Sequence, residues 1–209
     1  MSYQQMQNNK VYLSGQIASA PEFSHEIMGE KFYDMTVSVA RLSGQNDVIP
    51  ITISDRLMEG GSFEIGNLIG LIGQFRSYNK IVDGKSKLVL RVFVREICEC
   101  DEKSPNLIEI EGYVCKQPVY RTTPFKREIA DLLVAVNRAY NKSDYIPAIA
   151  WGRNARYAST FRVGEKIHLV GRIQSRIYQK ALDDGTVEER VAYEVSITKF
   201  DAVSEEMAE

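Results

Sequence analysis

Apolar and polar residues alternate with a period of two through much of this chain, the pattern of strands that turn one face to a core and the other to water. In the first half the runs are Phe32 to Arg41, Val48 to Ser54 and Leu88 to Val94. In the second half they are Ile108 to Val114, Ile129 to Val136, Tyr145 to Trp151, Ile167 to Ser175 and Arg190 to Phe200, with turn signals such as Asp183-Asp184-Gly185 between them. One stretch has helical spacing: from Arg153 to Phe161, the residues Ala155, Ala158 and Phe161 share a face. Leu57 to Phe63 holds the matching place in the first half, weakened as a helix by Gly60-Gly61.

The two halves are copies of one unit. Gly15 and Pro21 recur as Gly112 and Pro118, Val39-Ala40-Arg41 as Val136-Asn137-Arg138, Asp47 as Asp144 and Ile49-Pro50 as Ile146-Pro147, each 97 positions on. Beyond one inserted residue the offset becomes 98, so that Ile65-Gly66 meets Val163-Gly164 and Leu71-Ile72-Gly73 meets Leu169-Val170-Gly171. A unit of this size is a small domain, not a solenoid repeat. About five strands per copy with a helix after the third is the plan of the OB-fold, a partly open Greek-key barrel. The predicted fold is therefore all-β: two tandem five-stranded barrels, over residues 1–102 and 103–203, joined near the polar segment Cys100 to Pro105 and followed by a short acidic tail, 204–209.

Composition narrows the function classes. The chain has 209 residues, 44% hydrophobic and 26% charged, ordinary values for a folded protein. No apolar run approaches the roughly 18 residues of a membrane span, and the polar N-terminus lacks a secretory pattern, so a cytoplasmic protein without a membrane partner is expected. Three cysteines and two distant histidines complete no zinc site, disulfide framework or catalytic constellation. Neither an enzyme nor a cofactor is expected. The net charge of −2 argues against a polyanion partner until its distribution is read. Residues 106–203 carry three more basic than acidic side chains, residues 1–105 two fewer, and the tail adds Glu205, Glu206 and Glu209.

The basic excess coincides with aromatic side chains. Strand alternation from Arg172 to Tyr178 puts Arg172, Gln174, Arg176 and Tyr178 on one face and Ile173 and Ile177 on the core side. From Tyr145 to Trp151 it puts Tyr145, Pro147, Ile149 and Trp151 outside, while Ile146, Ala148 and Ala150 face a narrow interior. Exposed rings stack on bases whatever their identity, and arginines among them neutralise phosphates. The candidate DNA-binding residues are Tyr140, Tyr145, Trp151 and Tyr178 with Arg138, Arg153, Arg156, Arg172 and Arg176; Lys116, Arg121 and Lys180 are weaker ones. On alternation alone Trp151 also fits a core role, and Tyr140 an ordinary turn.

The blocks Val134 to Arg138, Tyr145 to Arg153 and Gly171 to Tyr178 resemble, in order and spacing, the bacterial single-stranded DNA-binding protein family over about 90 residues. The resemblance implies an OB-fold, no enzymatic activity, no cofactor, and sequence-independent binding of single-stranded DNA in replication, recombination or repair. It matches four aromatic positions of the family's binding surface to Tyr140, Tyr145, Trp151 and Tyr178. It also implies a homodimer with four barrels, because family members with two barrels per chain assemble in that way. The family's glycine-rich tail with an aromatic tip, which recruits replication and repair proteins, has no counterpart in Ser204 to Glu209.

By the repeat offset the four rings become Ser43, Val48, Ser54 and Lys80 in the first copy, and Arg156, Arg172 and Arg176 become Glu59, Gln74 and Tyr78. The first barrel is therefore expected to be mainly structural. Two other readings compete with DNA binding: an OB-fold interaction or assembly module, and an RNA-binding or primosome-type OB protein.

Overall fold

The structure, a computed structural model, describes residues 8–41, 43–82, 84–101, 105–181 and 185–201. The expected acidic tail, half of the expected linker (102–104) and the aspartates of the Asp183-Asp184-Gly185 turn lie outside the described residues.

Among the described residues twelve strands and two short helices follow in order: β1 (Asn9–Ile17), β2 (Glu22–Ile27), β3 (Glu30–Ala40), β4 (Asn46–Ser54), α1 (Asp55–Met58), β5 (Leu68–Val82), β6 (Lys85–Cys98), β7 (Asn106–Val114), β8 (Val119–Thr122), β9 (Glu128–Arg138), β10 (Lys142–Trp151), α2 (Arg153–Ala158), β11 (Lys166–Ala181) and β12 (Val187–Asp201). In each half five strands close a barrel. β1 pairs with both β3 and β5, β5 with β6, and β6 runs parallel to β4, which returns to β3. The second half repeats this circuit through β7, β9, β10, β12 and β11. Two short strands that the alternation did not foretell, β2 and β8, lie outside the circuits as edges on β3 and β9. Every residue of both is exposed, so they carry no buried face for a pattern to reveal.

The inward residues are those the alternation selects. Leu13, Val37, Ile51, Leu71, Phe75 and Val92 fill the first barrel, and Ile110, Val134, Ile146, Leu169, Ile173 and Val195 the second. Ala155, Ala158 and Phe161 close the end of the second barrel beside α2, whereas α1 packs on the core only through the partly buried Leu57 and Met58.

The barrels join through their first strands. β1 and β7 pair antiparallel, with Val11 opposite Ile108, its own counterpart in the repeat. A pseudo-twofold axis therefore passes between these two residues. The other junction contacts obey it. The Ser77 amide donates to Asp144 at 2.7 Å, and the Ser175 amide donates to Asp47 at 2.6 Å. Asn9 exchanges two hydrogen bonds with the Phe75 backbone, and Asn106 does the same with Ile173. The two barrels thus share one twelve-stranded sheet.

Three readings of facing change, one inward and two outward. Ile177 is 63% exposed and not on the core, because β11 runs past the barrel wall after Ser175 into a free hairpin with β12. Ile149 and Gln174 point outward by parity but are buried.

Candidate nucleic-acid interface

Strands β10, β12 and β11 form one curved wall of the second barrel, and its outer surface carries the candidate rings. Tyr145 and Trp151 are the two exposed rings of β10, separated on their face by the half-buried Pro147 and the buried Ile149. The two rings are 44% and 38% exposed, too open for a core role. Tyr178 lies on the extended part of β11, opposite Arg190 of β12, with the Arg176 guanidinium 5.7 Å from its ring centre. That contact fixes both groups on the same face and keeps the cation beside the ring. Tyr140 occupies the tight β9–β10 turn, 79% exposed, with φ of 61°. A left-handed conformation costs a non-glycine residue roughly 1–2 kcal/mol, so the turn holds this ring outward against its backbone preference.

The five candidate arginines separate into two sets. Arg138 and Arg172 point to the junction between the barrels. Arg138 donates to the buried Asp144 at 3.2 Å, and Arg172 donates to the buried Asp47 at 2.9 Å, where Arg41 also donates in a bidentate pair. Arg153, Arg156 and Arg176 remain on the outer surface. Arg156 makes a bidentate pair with Glu128, and Tyr120 donates to the same carboxylate. Hydrogen bonds from Arg156, then from Tyr120, hold the Glu128 carboxyl down to about 2. Arg176 approaches Glu194 at 3.8 Å, and Gln174 donates to that carboxylate at 2.7 Å. Arg153 makes no ion pair among the described residues.

Sequence reasoning missed these acidic partners, since nothing in a strand's alternation shows which carboxylate lies on the next strand. It also missed Tyr120 and Tyr157, exposed rings on β8 and α2. The junction carboxylates did leave a trace: Asp47 and Asp144 hold the same place in both copies. Among the described residues no cluster of histidine, cysteine and acidic side chains is arranged to hold a metal ion.

Two closed five-stranded barrels with the β1–β3 and β4–β6 pairings, each capped after the third barrel strand, define a tandem OB-fold protein. The family model for the single-strand binding protein family matches residues 105–203. A single-stranded DNA-binding protein of Clostridium tetani is 31% identical over 105 residues, which are 46% of this chain and 71% of that protein. A single-stranded DNA-binding protein of Thermus thermophilus is 23% identical over 195 residues, 79% of this chain and 74% of that protein. The wild-type single-stranded DNA binding protein from Thermus aquaticus has the same two-barrel fold, with a TM-score of 0.74 at 21% identity, over 96% of this chain and 95% of that one. The chain belongs to the single-strand binding protein family.

Proposed function

We propose that this chain binds single-stranded DNA without reading its sequence, and that the outer wall of the second barrel is the principal binding face. The observation that carries this reading is the exposure of Tyr145 and Trp151 on the outer face of β10, with the half-buried Tyr178 on the hairpin beyond, Arg176 against its ring, and Arg153 beside Trp151 in sequence. Each stacked base contributes about 1–3 kcal/mol, a general figure for such surfaces. Phosphate contacts add affinity that falls with salt, with a slope of roughly −0.7 per phosphate on single strands. The chemistry needed is positioning alone: no bond is made or broken, so the chain acts as a binder and not an enzyme. Protection of single strands during replication, recombination or repair follows from occupying both bases and phosphates. A homodimer presenting four barrels is the assembly this reading expects.

Trp151 is the single tryptophan of the chain, so its fluorescence reports on the face directly. Titration with oligo(dT) is expected to quench it, and added salt to restore it. Unchanged emission with no mobility shift at low salt would overturn the reading, and tighter binding of oligo(U) than of oligo(dT) would turn it toward RNA.

A further inference from the structure

The twelve-stranded sheet ends on β2 at one side and on β8 at the other. The repeat makes the two ends equivalent, since residues 22–31 of the first copy fall on residues 119–128 of the second. Among the described residues β2 pairs only with β3 and β8 only with β9, so each end offers a row of backbone N–H and C=O groups to a further strand. Both strands are exposed at every residue.

Equivalent in place, the two hairpins are opposite in charge. The β2–β3 hairpin carries Glu22, Glu26 and Glu30 against Lys31, whereas the same positions of β8–β9 carry Arg121, Lys126 and Arg127 against Glu128. Pairing within the chain leaves the excess of each sign facing water. Glu30 lies 3.7 Å from Arg56, while Glu22 and Glu26 make no ion pair among the described residues. Arg121 is held by Asp131 at 2.8 Å and Glu128 by Arg156 at 2.6 Å, so that Lys126 and Arg127 have no carboxylate partner among the described residues.

Apolar side chains lie among these charges. Phe23, Ile27 and Met28 are exposed on the first hairpin, and Val119, Tyr120 and Phe125 on the second. Met28 and Phe125, equivalents in the repeat, stand almost wholly in water at the two turns. The first hairpin is stiffened from within, because Phe23 meets Tyr33 edge-on at 6.1 Å and His25 stacks on Phe32 at 4.9 Å between ring centres. Open apolar edges are ordinarily blunted or covered. A cover for both ends of this sheet has to match an acidic hairpin at one and a basic hairpin at the other, and a second copy of the chain supplies both.

We propose that copies of this chain associate end to end, the β2–β3 hairpin of one against the β8–β9 hairpin of the next. Like ends repel, acidic on acidic and basic on basic, and this fixes the order of the copies. Each contact leaves one end of each kind unused, so the row stays open and grows. A standard interface engages roughly 20–30 residues a side. A single hairpin supplies far fewer, so each contact is weak and sensitive to salt. It is separate from the homodimer expected above, and it does not rest on the binding of DNA.

The test uses the full chain without nucleic acid and reads mass by sedimentation and light scattering. At about 0.01 M salt, where charges act over about 30 Å, the mean mass is expected to rise with protein concentration beyond that of a dimer. At about 1 M salt, where the reach is about 3 Å, it is expected to fall back. The variant Glu22→Lys, Glu26→Lys has two basic ends, and the variant Lys126→Glu, Arg127→Glu two acidic ends. Either one alone is expected to keep the smaller mass in low salt, with Trp151 emission showing that it is folded. An equal mixture of the two should regain the larger mass. So should the chain with all four substitutions, whose net charge is that of the unmodified chain, which separates matched ends from general attraction between an acidic and a basic protein. A mass that does not change with concentration in low salt would overturn the proposal. Two-ended variants that associate as the unmodified chain does, or a folded fourfold variant that stays at the smaller mass, would overturn it equally.

Discussion

Asp47 is buried and accepts hydrogen bonds from Arg41, Arg172 and the Ser175 amide, so one side chain of the first barrel holds an arginine and a backbone group of the second. Breaking a buried pair by deleting one member costs more than the pair contributes, because the remaining charge stays desolvated. Asp47→Ala leaves two half-buried guanidinium groups and an unpaired amide, and it is expected to destabilise the chain by about 3–5 kcal/mol in urea unfolding. The same variant tests the role of Arg172. If that arginine is tied to the junction, as its 2.9 Å contact indicates, the loss appears in stability, with the salt slope of DNA binding nearly unchanged. This is the scale at which the sequence was hardest to read. Alternation placed Tyr145, Trp151 and Tyr178 on an outer face, where they are, because parity along a strand is a local property. Alternation says nothing of what a long flexible side chain meets across a junction. Arg138 and Arg172 therefore looked like the surface arginines beside them, although they point to buried carboxylates.

The two long hairpins, β5–β6 and β11–β12, reach beyond the barrels, and each carries a register shift where it still belongs to the barrel wall. The register shifts opposite Ile72–Gly73 and Val170–Gly171 mark a bulge in the second strand of each, where Arg95 of β6 and Thr198 of β12 are the extra residues. Bulges bend a strand and increase its twist. Glycine is required there by space: a Cβ on Gly171 would lie 2.4 Å from the Ser196 carbonyl oxygen, and one on Gly73 2.5 Å from that of Phe93. Since the obstacle is backbone, Gly171→Ala forces β11 and β12 apart at the point that aims Arg176 and Tyr178. The expected cost is about 1–3 kcal/mol in stability, read as a lower melting temperature, with weaker quenching of Trp151 at equal DNA. The repeat had already brought Gly73 and Gly171 into register. The extension itself was not legible, because past the wall both strand faces meet water and residues such as Ile177 and Val191 no longer follow an inward rule.

At the scale of the whole molecule, the pairing of β1 with β7 makes the chain an internal pseudo-dimer, and the register says what happens when one half is missing. Val11 lies opposite Ile108, and the axis between them relates each barrel to the other. In a chain that begins at residue 105, β7 keeps its partner β11 but loses β1, so residues 106–110 become an open edge ending in the buried Ile108 and Ile110. An unpaired edge of this kind is a template for another strand. The strand that fits it in the native register is a second β7, with Ile108 opposite Ile108. In such a pair Asp144 would accept from Ser175 of the second copy, in place of Ser77. Sequence similarity between the copies made this symmetry visible, but only the register showed that it passes through the junction. The truncated chain is therefore expected to be dimeric by light scattering, and Asp144→Ala within it to shift the mass toward the monomer. A truncated chain that stays monomeric at high concentration and remains folded would show that the β1–β7 junction follows from tethering in one chain, and not from complementarity of the two edges.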